Sequence, residues 1–83
     1  MEPNLLEILE RLEEDVLVFY LGKGWQVHVW KDGKVYLQGL KFEDGRHWTT
    51  FIELKANLHV PPTEFIKRIK EILKYQTFKW EII

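Results

Sequence analysis

Two Asp-Gly pairs, Asp32-Gly33 and Asp44-Gly45, constrain the fold of this chain more than any other feature of its sequence. A glycine after an aspartate supplies the positive φ angle that a tight β-hairpin needs, so each pair predicts a turn between two strands. Together with Gly22-Lys23-Gly24, these turns divide the middle of the chain into four strands. The predicted strands are residues 17–21, 25–31, 34–42 and 47–56.

The lengths of the turns decide which side chains share a face of the sheet, because a slip of one residue turns a strand over. Apolar side chains share one face, here named the inner face, when the loops at 22–24 and 31–33 have three residues each and the turn at 43–46 has two or four. Its members are Leu17, Phe19, Leu21, Trp25, Val27, Val29, Val35, Leu37, Gly39, Trp48, Thr50, Ile52, Leu54 and Ala56. Two-residue turns at both Asp-Gly pairs would bury Gln26, His28 and Trp30 instead. We rank that register second because it buries more polar groups.

The opposite face, here named the outer face, follows by alternation and resembles neither a solvated surface nor a second core. Its members are Val18, Tyr20, Gln26, His28, Trp30, Tyr36, Gln38, Leu40, Phe42, His47, Thr49, Phe51, Glu53 and Lys55. A face with this many exposed rings needs a partner. Three interpretations are open: single-stranded nucleic acid lies on it, it forms a protein interface, or the first helix of the chain covers it.

The remaining segments predict two helices and a final strand. Apolar residues recur at helical spacing in 3–14, and Pro61-Pro62 followed by Glu64 is a typical start for a helix over 62–75. The apolar stripe of that second helix fits the inner face. Residues 77–83 alternate with period two, as in a strand that pairs with its own sheet or with another subunit. The predicted fold class is α+β: a four-stranded antiparallel meander sheet, an N-terminal helix, a C-terminal helix packed on one face and a short C-terminal strand.

Length and composition indicate one domain over residues 1–83, with 46% apolar residues. The sequence has no apolar run of membrane-spanning length and no signal-peptide pattern, so we expect a cytoplasmic protein without a membrane partner. Abundant Lys, Glu and Ile with no Cys suggest a thermophile.

The formal net charge of −1 hides an asymmetry along the chain. Residues 1–15 hold six acidic side chains against one arginine, whereas residues 16–83 hold eleven basic side chains against seven acidic ones.

The sequence offers little for catalysis, metal binding or cofactor binding, and we expect a protein that is not an enzyme. Ser and Cys, the usual nucleophiles, do not occur, and no glycine-rich phosphate loop opens a helix. The three histidines have no metal-ligand spacing, and a site built on His28 and His47 would have Glu53 as its only carboxylate. We therefore predict no catalytic residue, no metal and no cofactor.

The nucleic-acid interpretation assigns a role to each group on the outer face. Aromatic rings stack on bases and cations at the strand ends meet phosphates, a combination that tolerates any base sequence. The stacking rings are Trp30, Tyr36, Phe42 and Phe51, the hydrogen-bonding groups are Gln26, His28, Gln38 and His47, and the cations are Lys31, Lys34, Arg46 and Lys55. The predicted function is sequence-independent binding of single-stranded DNA or RNA, with a protein-interaction or adaptor module as the alternative. A homodimer with a cleft between two sheets would combine both.

The order of four strands followed by a helix resembles the transcriptional coactivators that bind single-stranded DNA as dimers. With its added N-terminal helix, the chain also resembles the small archaeal single-stranded-DNA-binding proteins called ThermoDBP-related. The likeness covers residues 16–75 and is carried by the interleaved aromatics and basic turns of 25–51 and by the helix over 62–75. It implies sequence-independent binding of single strands in an aromatic cleft of a homodimer. The slightly acidic charge of this chain departs from that pattern.

Overall fold

The computed structural model describes residues 2–83 as two helices and a five-stranded antiparallel sheet. Helix α1 (Leu5–Arg11) precedes the sheet, and helix α2 (Pro62–Tyr75) connects its fourth and fifth strands. The strands lie side by side in chain order: β1 (Val16–Gly22), β2 (Trp25–Trp30), β3 (Val35–Glu43), β4 (Arg46–Leu54) and β5 (Glu81–Ile82). The predicted α+β meander, with a helix at each end and a short C-terminal strand, is confirmed.

The turn between β2 and β3 is the predicted three-residue loop. The Trp30 N–H donates to the Lys34 carbonyl at 2.8 Å, which leaves only Lys31, Asp32 and Gly33 outside the ladder. Gly33 has a φ of 94°, which is the left-handed conformation expected of the last residue in such a loop. This loop places Val29 opposite Val35 and so sets the register of β2 against β3.

The turn between β1 and β2 is shorter than predicted, but the faces of the strands are unchanged. Only Lys23 and Gly24 lie between the paired residues Gly22 and Trp25, and both have positive φ angles. The register shifts between Tyr20 and Gly22, where β1 contains a bulge. The bulge adds the residue that the shorter turn removes, so the alternation of β1 remains as predicted. The turn between β3 and β4 has the two-residue form, with only Asp44 and Gly45 between paired strands.

The inner face supplies the centre of the core. Its four fully buried strand residues are Val27, Val29, Val35 and Leu37. Phe65 and Ile69 of α2 are buried in the same cluster, and the ring centroids of Phe65 and Phe19 lie 5.9 Å apart. The preferred register is thereby confirmed, because the second one would have placed Val27 and Val29 on the opposite face.

Helix α1 is shorter than the predicted span of 3–14, and its two ends show why. The Asn4 side chain accepts a hydrogen bond from the Glu7 N–H at 2.9 Å, which caps the helix after Pro3. At the other end, Leu12 is extended, and the chain turns toward β1. Leu5 and Leu9 are buried in the same cluster as the inner face. The helix therefore packs on the inner side of the sheet together with α2.

Helix α2 spans the predicted residues, and the tail after it returns to the sheet. Ile82 pairs with Trp48 and Glu81 with Thr49, so β5 extends the edge formed by β4. The predicted strand over 77–83 is thus reduced to two residues, and its partner is the chain's own sheet. None of the helices in residues 2–83 has the length and apolar character needed to cross a membrane.

Candidate functional site

The outer face lies open to solvent. The interpretation in which the first helix covers it is wrong, because α1 buries Leu5 and Leu9 in the core on the other side of the sheet. The Leu5 and Leu6 N–H groups also donate to the segment that leads into α2, which fixes α1 on that side. The exposed apolar residues of the outer face are Val18, Tyr20, Trp30, Leu40, Phe42 and Phe51. Packing within the chain does not explain why these apolar side chains are exposed together on one face.

The centre of the outer face is a stacked pair of rings. The ring centroids of Tyr36 and Phe51 lie 5.0 Å apart, and their planes differ by 15°. Phe51 is 56% exposed, whereas Tyr36 is half-buried. The pair therefore presents an apolar surface to solvent in a fixed orientation, which is the geometry on which another planar ring can stack.

A row of polar side chains lies next to this stack. His28 pairs with Tyr36 across β2 and β3, and its Nε2 lies 3.1 Å from the Gln26 Oε1. Gln38 pairs with both Gln26 and Phe51, so its amide lies between the polar row and the stack. These imidazole and amide groups can donate and accept hydrogen bonds beside the rings.

Trp30 and Phe42 lie at opposite ends of the outer face. Trp30 ends β2 beside the 31–33 loop and is 38% exposed. Phe42 is the last residue but one of β3, near the 44–45 turn, and its ring centroid lies 5.0 Å from that of His47. A groove of ≈ 300 Å³ lies next to Phe42, lined by Leu40, Lys41, Phe42, His47, Trp48 and Ile83. The predicted stacking rings therefore share one face but are distributed along the full length of the strands.

The predicted cations are divided between the two ends of the strands. Lys31 is the first residue of the 31–33 loop and Lys34 follows the loop, at the end of the sheet where Lys55 follows β4. Arg46 lies at the other end and pairs with Glu43, and by alternation it belongs to the inner side of the sheet. Within residues 2–83, none of these four cations forms an ion pair. Three acidic residues lie at the same end of the sheet, because Asp15 is hydrogen-bonded to Lys31 through its carbonyl, Asp32 lies in the loop and Glu53 is opposite Tyr36, so the formal charges of this end sum to zero.

The three histidines are separated in the structure. His28 lies in the middle of β2, His47 near the 44–45 turn and His59 on the segment before α2. Glu53 pairs with Tyr36 and therefore lies far along β4 from His47. Among the described residues 2–83, no three His, Asp or Glu side chains are grouped closely enough to hold a metal ion.

Sequence reasoning missed an aromatic cluster that closes one end of the core. The ring centroid of Trp25 lies 4.6 Å from the ring centroid of Phe78 and 5.6 Å from that of Trp80. The Lys41 Nζ lies 4.3 Å from the centroid of Trp80 on the same side. Gly39 is the signal that could have predicted the cluster, because a glycine inside a strand marks the close approach of another group.

Three of the four tryptophans consequently lie on the inner side of the sheet. Trp25 and Trp80 belong to the aromatic cluster, and Trp48 alternates with the inner residues of β4 and donates from Nε1 to the Glu43 carbonyl at 3.1 Å. Trp30 alone lies on the outer face.

No protein-family model, curated protein or solved structure matches this chain.

Proposed function

We propose that this chain binds single-stranded nucleic acid, with DNA as the first ligand to test, across the outer face of its sheet. The observation that carries the proposal is the Tyr36–Phe51 stack, which is held open to solvent on a face that neither helix covers. Stacking on protein rings is sequence-tolerant because every base has an aromatic face, and it contributes about 1–3 kcal/mol per base.

The groups around the stack support the same function. His28 and Gln38 lie beside the rings, and their imidazole and amide groups can form hydrogen bonds with base edges. Lys31, Lys34 and Lys55 lie at one end of the face, where they can approach the phosphates of a strand that crosses the sheet. Because acidic groups lie among these lysines, the proposal assigns most of the affinity to stacking and a smaller share to charge. The resemblance in strand order to the dimeric single-strand-binding families supports the same proposal.

A second candidate function is a protein-interaction module on the same face. The observation that favours it is the aliphatic part of the patch, since Val18 and Leu40 are about as exposed as the rings. Aliphatic side chains add contact area for an apolar protein surface but do not stack on bases. The partner in this case is a protein with an apolar interface of its own.

A titration of the tryptophan fluorescence with oligo-dT, at low and at high salt, separates the two functions. The nucleic-acid proposal predicts quenching at low salt, because Trp30 lies on the outer face, and weaker binding at high salt, because phosphate neutralisation releases counterions. The protein-interaction alternative predicts no change of fluorescence at either salt concentration. Oligo-rU and double-stranded DNA of the same length provide the comparisons that define the ligand class.

A further inference from the structure

Strand β1 forms an edge of the sheet, and half of its backbone polar groups point away from the other strands. The Lys31 N–H donates to the Asp15 carbonyl at 2.9 Å, so the odd-numbered residues at the start of this strand face β2. Successive residues of an antiparallel strand direct their N–H and C=O groups to opposite sides. Those of Val16, Val18 and Tyr20 therefore point outward. In the described part of the chain, residues 16–22 form no backbone hydrogen bond to any segment outside the sheet.

The two edges of the sheet differ in how they are protected against another strand. The edge opposite β1 is formed by the two residues of β5 and by residues 50–54 of β4, which β5 does not cover, and it carries Glu53 and Glu81. Short edges and charged side chains are the usual means by which proteins prevent pairing between sheets. The seven residues of β1 contain no charge and no proline. The bulge between Tyr20 and Gly22 interrupts the last residues of this strand, so residues 16–20 are the part of the edge that offers an unprotected template for an added strand.

We propose that β1 pairs antiparallel with β1 of a second copy of the chain, about a twofold axis, so that the two sheets become one. A register centred on Phe19 pairs Val18 with Tyr20 of the second copy, and both residues direct their backbone groups outward. It also places the two Phe19 side chains next to each other on the inner face. Aromatic pairs and pairs of aromatic with β-branched residues are favourable neighbours across strands.

The charges at the ends of β1 agree with this register. Asp15 precedes the strand and Lys23 follows it. In the antiparallel pairing centred on Phe19, Asp15 of one copy lies at the same end of the paired strands as Lys23, in the turn of the second copy, and the twofold axis repeats this proximity at the other end. The strand is thus complementary to itself in backbone groups, side chains and charge, which favours a second copy over an unrelated strand.

The association is independent of what the outer face binds, but it changes the shape of that face. The two outer faces become neighbours in one sheet, and Val18 and Tyr20 of both copies lie between the two Tyr36–Phe51 stacks. One strand from each copy buries less than a standard interface of about 1,600 Å². We therefore expect a dimer that dissociates on dilution.

The variant Val18→Pro tests the proposal. A proline is tolerated on an edge strand where the replaced N–H faces solvent, so the monomer fold is retained while the added strand is blocked. By sedimentation velocity at up to about 1 mM protein, a concentration at which weak complexes form, we expect the wild type to approach twice 10.1 kDa. Val18→Pro is expected to stay at 10.1 kDa with the circular dichroism of the wild type.

The matched control is Ile82→Pro, on the opposite edge. The Ile83 N–H donates to His47, so the backbone groups of Ile82 point away from β4, as those of Val18 point away from β2. This variant should still dimerise. A wild type that is monomeric at every concentration, a folded Val18→Pro that dimerises, or an Ile82→Pro that does not dimerise each overturns the proposal.

Amide hydrogen exchange of the wild type provides a test that needs no variant, should Val18→Pro fail to fold. Pairing of β1 predicts that the Val18 and Tyr20 amides are protected at high protein concentration and lose their protection on dilution. Unprotected exchange of both amides at high concentration contradicts the proposal. The experiment is carried out without oligonucleotide, so a failure to bind nucleic acid does not affect its outcome.

Discussion

Tyr36 and Phe51 stack diagonally across β3 and β4, with their ring centroids 5.0 Å apart and their planes 15° apart. Phe51 is directly opposite Gln38, and Tyr36 is opposite Glu53, so the rings meet between neighbouring pairs of the ladder. Aromatic side chains are long enough to span this diagonal. Since each ring limits the rotation of the other, a ligand that stacks on them loses less conformational entropy in the protein.

Replacement of Phe51 by alanine should weaken oligonucleotide binding with little effect on folding. Its ring is 56% exposed, so the main structural loss is the contact with Tyr36, worth about 0.5–1.5 kcal/mol. Loss of one stacked base costs about 1–3 kcal/mol, which corresponds to about a 5- to 150-fold rise in Kd. Fluorescence anisotropy with labelled oligo-dT measures the affinity, and urea denaturation measures the stability.

Tyr75→Ala is the matched control for Phe51→Ala. Tyr75 is an aromatic residue at the end of α2, is 82% exposed and lies outside the outer face. We expect its removal to leave the Kd unchanged. Equal losses of affinity in the two variants would indicate nonspecific contact with exposed rings, and a collapse of the fold in Phe51→Ala would indicate that its ring belongs to a core.

The salt dependence of binding should be shallow. Each phosphate neutralised by a cation contributes about −0.7 to the slope of log K against log salt for a single strand, so the three lysines of the outer face, Lys31, Lys34 and Lys55, set a limit of about −2. Lys34→Ala should reduce the magnitude of that slope by about 0.7, because it removes one phosphate contact. The matched control is Lys70→Ala, an exposed lysine on α2. A slope much steeper than about −2 would require basic residues outside the outer face.

Local turn chemistry and alternation predicted the sheet and both of its faces. Gly33 allows only a few loop geometries. The three-residue loop that it closes determines that Val29 lies on the inner face of the sheet and Trp30 on the outer face. The turn at 22–24 was predicted one residue too long. The faces of the strands are nevertheless as predicted, because a bulge in β1 compensates for the missing residue and leaves the same side chains inside. A bulge has no unambiguous sequence signal because it depends on how the strand twists at an edge.

The placement of the helices and the tail could not be predicted from periodicity. The apolar stripe of α1 fits either face of the sheet equally well, and only the packing of Leu5 and Leu9 against the inner cluster decides between them. The aromatic cluster of Trp25, Phe78 and Trp80 depends on contacts between residues more than fifty positions apart. Local patterns carry no information about such contacts, apart from the glycine at position 39.

Gly39→Ala should destabilise the protein because of this cluster. A Cβ atom at this position would lie 2.6 Å from the Trp25 ring and 2.9 Å from the Trp80 ring, so the rings would have to move. Overpacking of this kind typically costs about 1–3 kcal/mol of unfolding free energy. A double-mutant cycle with Trp80→Ala is the check: the cost of Gly39→Ala should fall in the Trp80→Ala background. Strict additivity would show that the glycine and Trp80 are not in contact.

Leu9→Ala tests the side on which α1 packs. Leu9 is 3% exposed, and truncation of a buried leucine costs about 2–5 kcal/mol of unfolding free energy. The exposed neighbour Glu10, changed to alanine, should alter stability by no more than about 0.5 kcal/mol. Because α1 lies away from the outer face, the affinity of folded Leu9→Ala for oligo-dT should equal that of the wild type. Tighter binding by this variant would instead indicate that α1 obstructs the ligand.

Trp30→Phe should abolish most of the fluorescence response to oligo-dT while most of the binding remains. Trp30 is the tryptophan of the outer face, whereas Trp25, Trp48 and Trp80 lie on the inner side of the sheet. Phenylalanine keeps a ring for stacking but removes the indole that is quenched. Trp80→Phe is the control that should retain the response, and anisotropy with labelled oligo-dT gives the affinity of both variants independently of the tryptophans. Quenching that persists in Trp30→Phe would place the bases on the inner side of the sheet, near the aromatic cluster, and would contradict the assignment of the outer face as the binding surface.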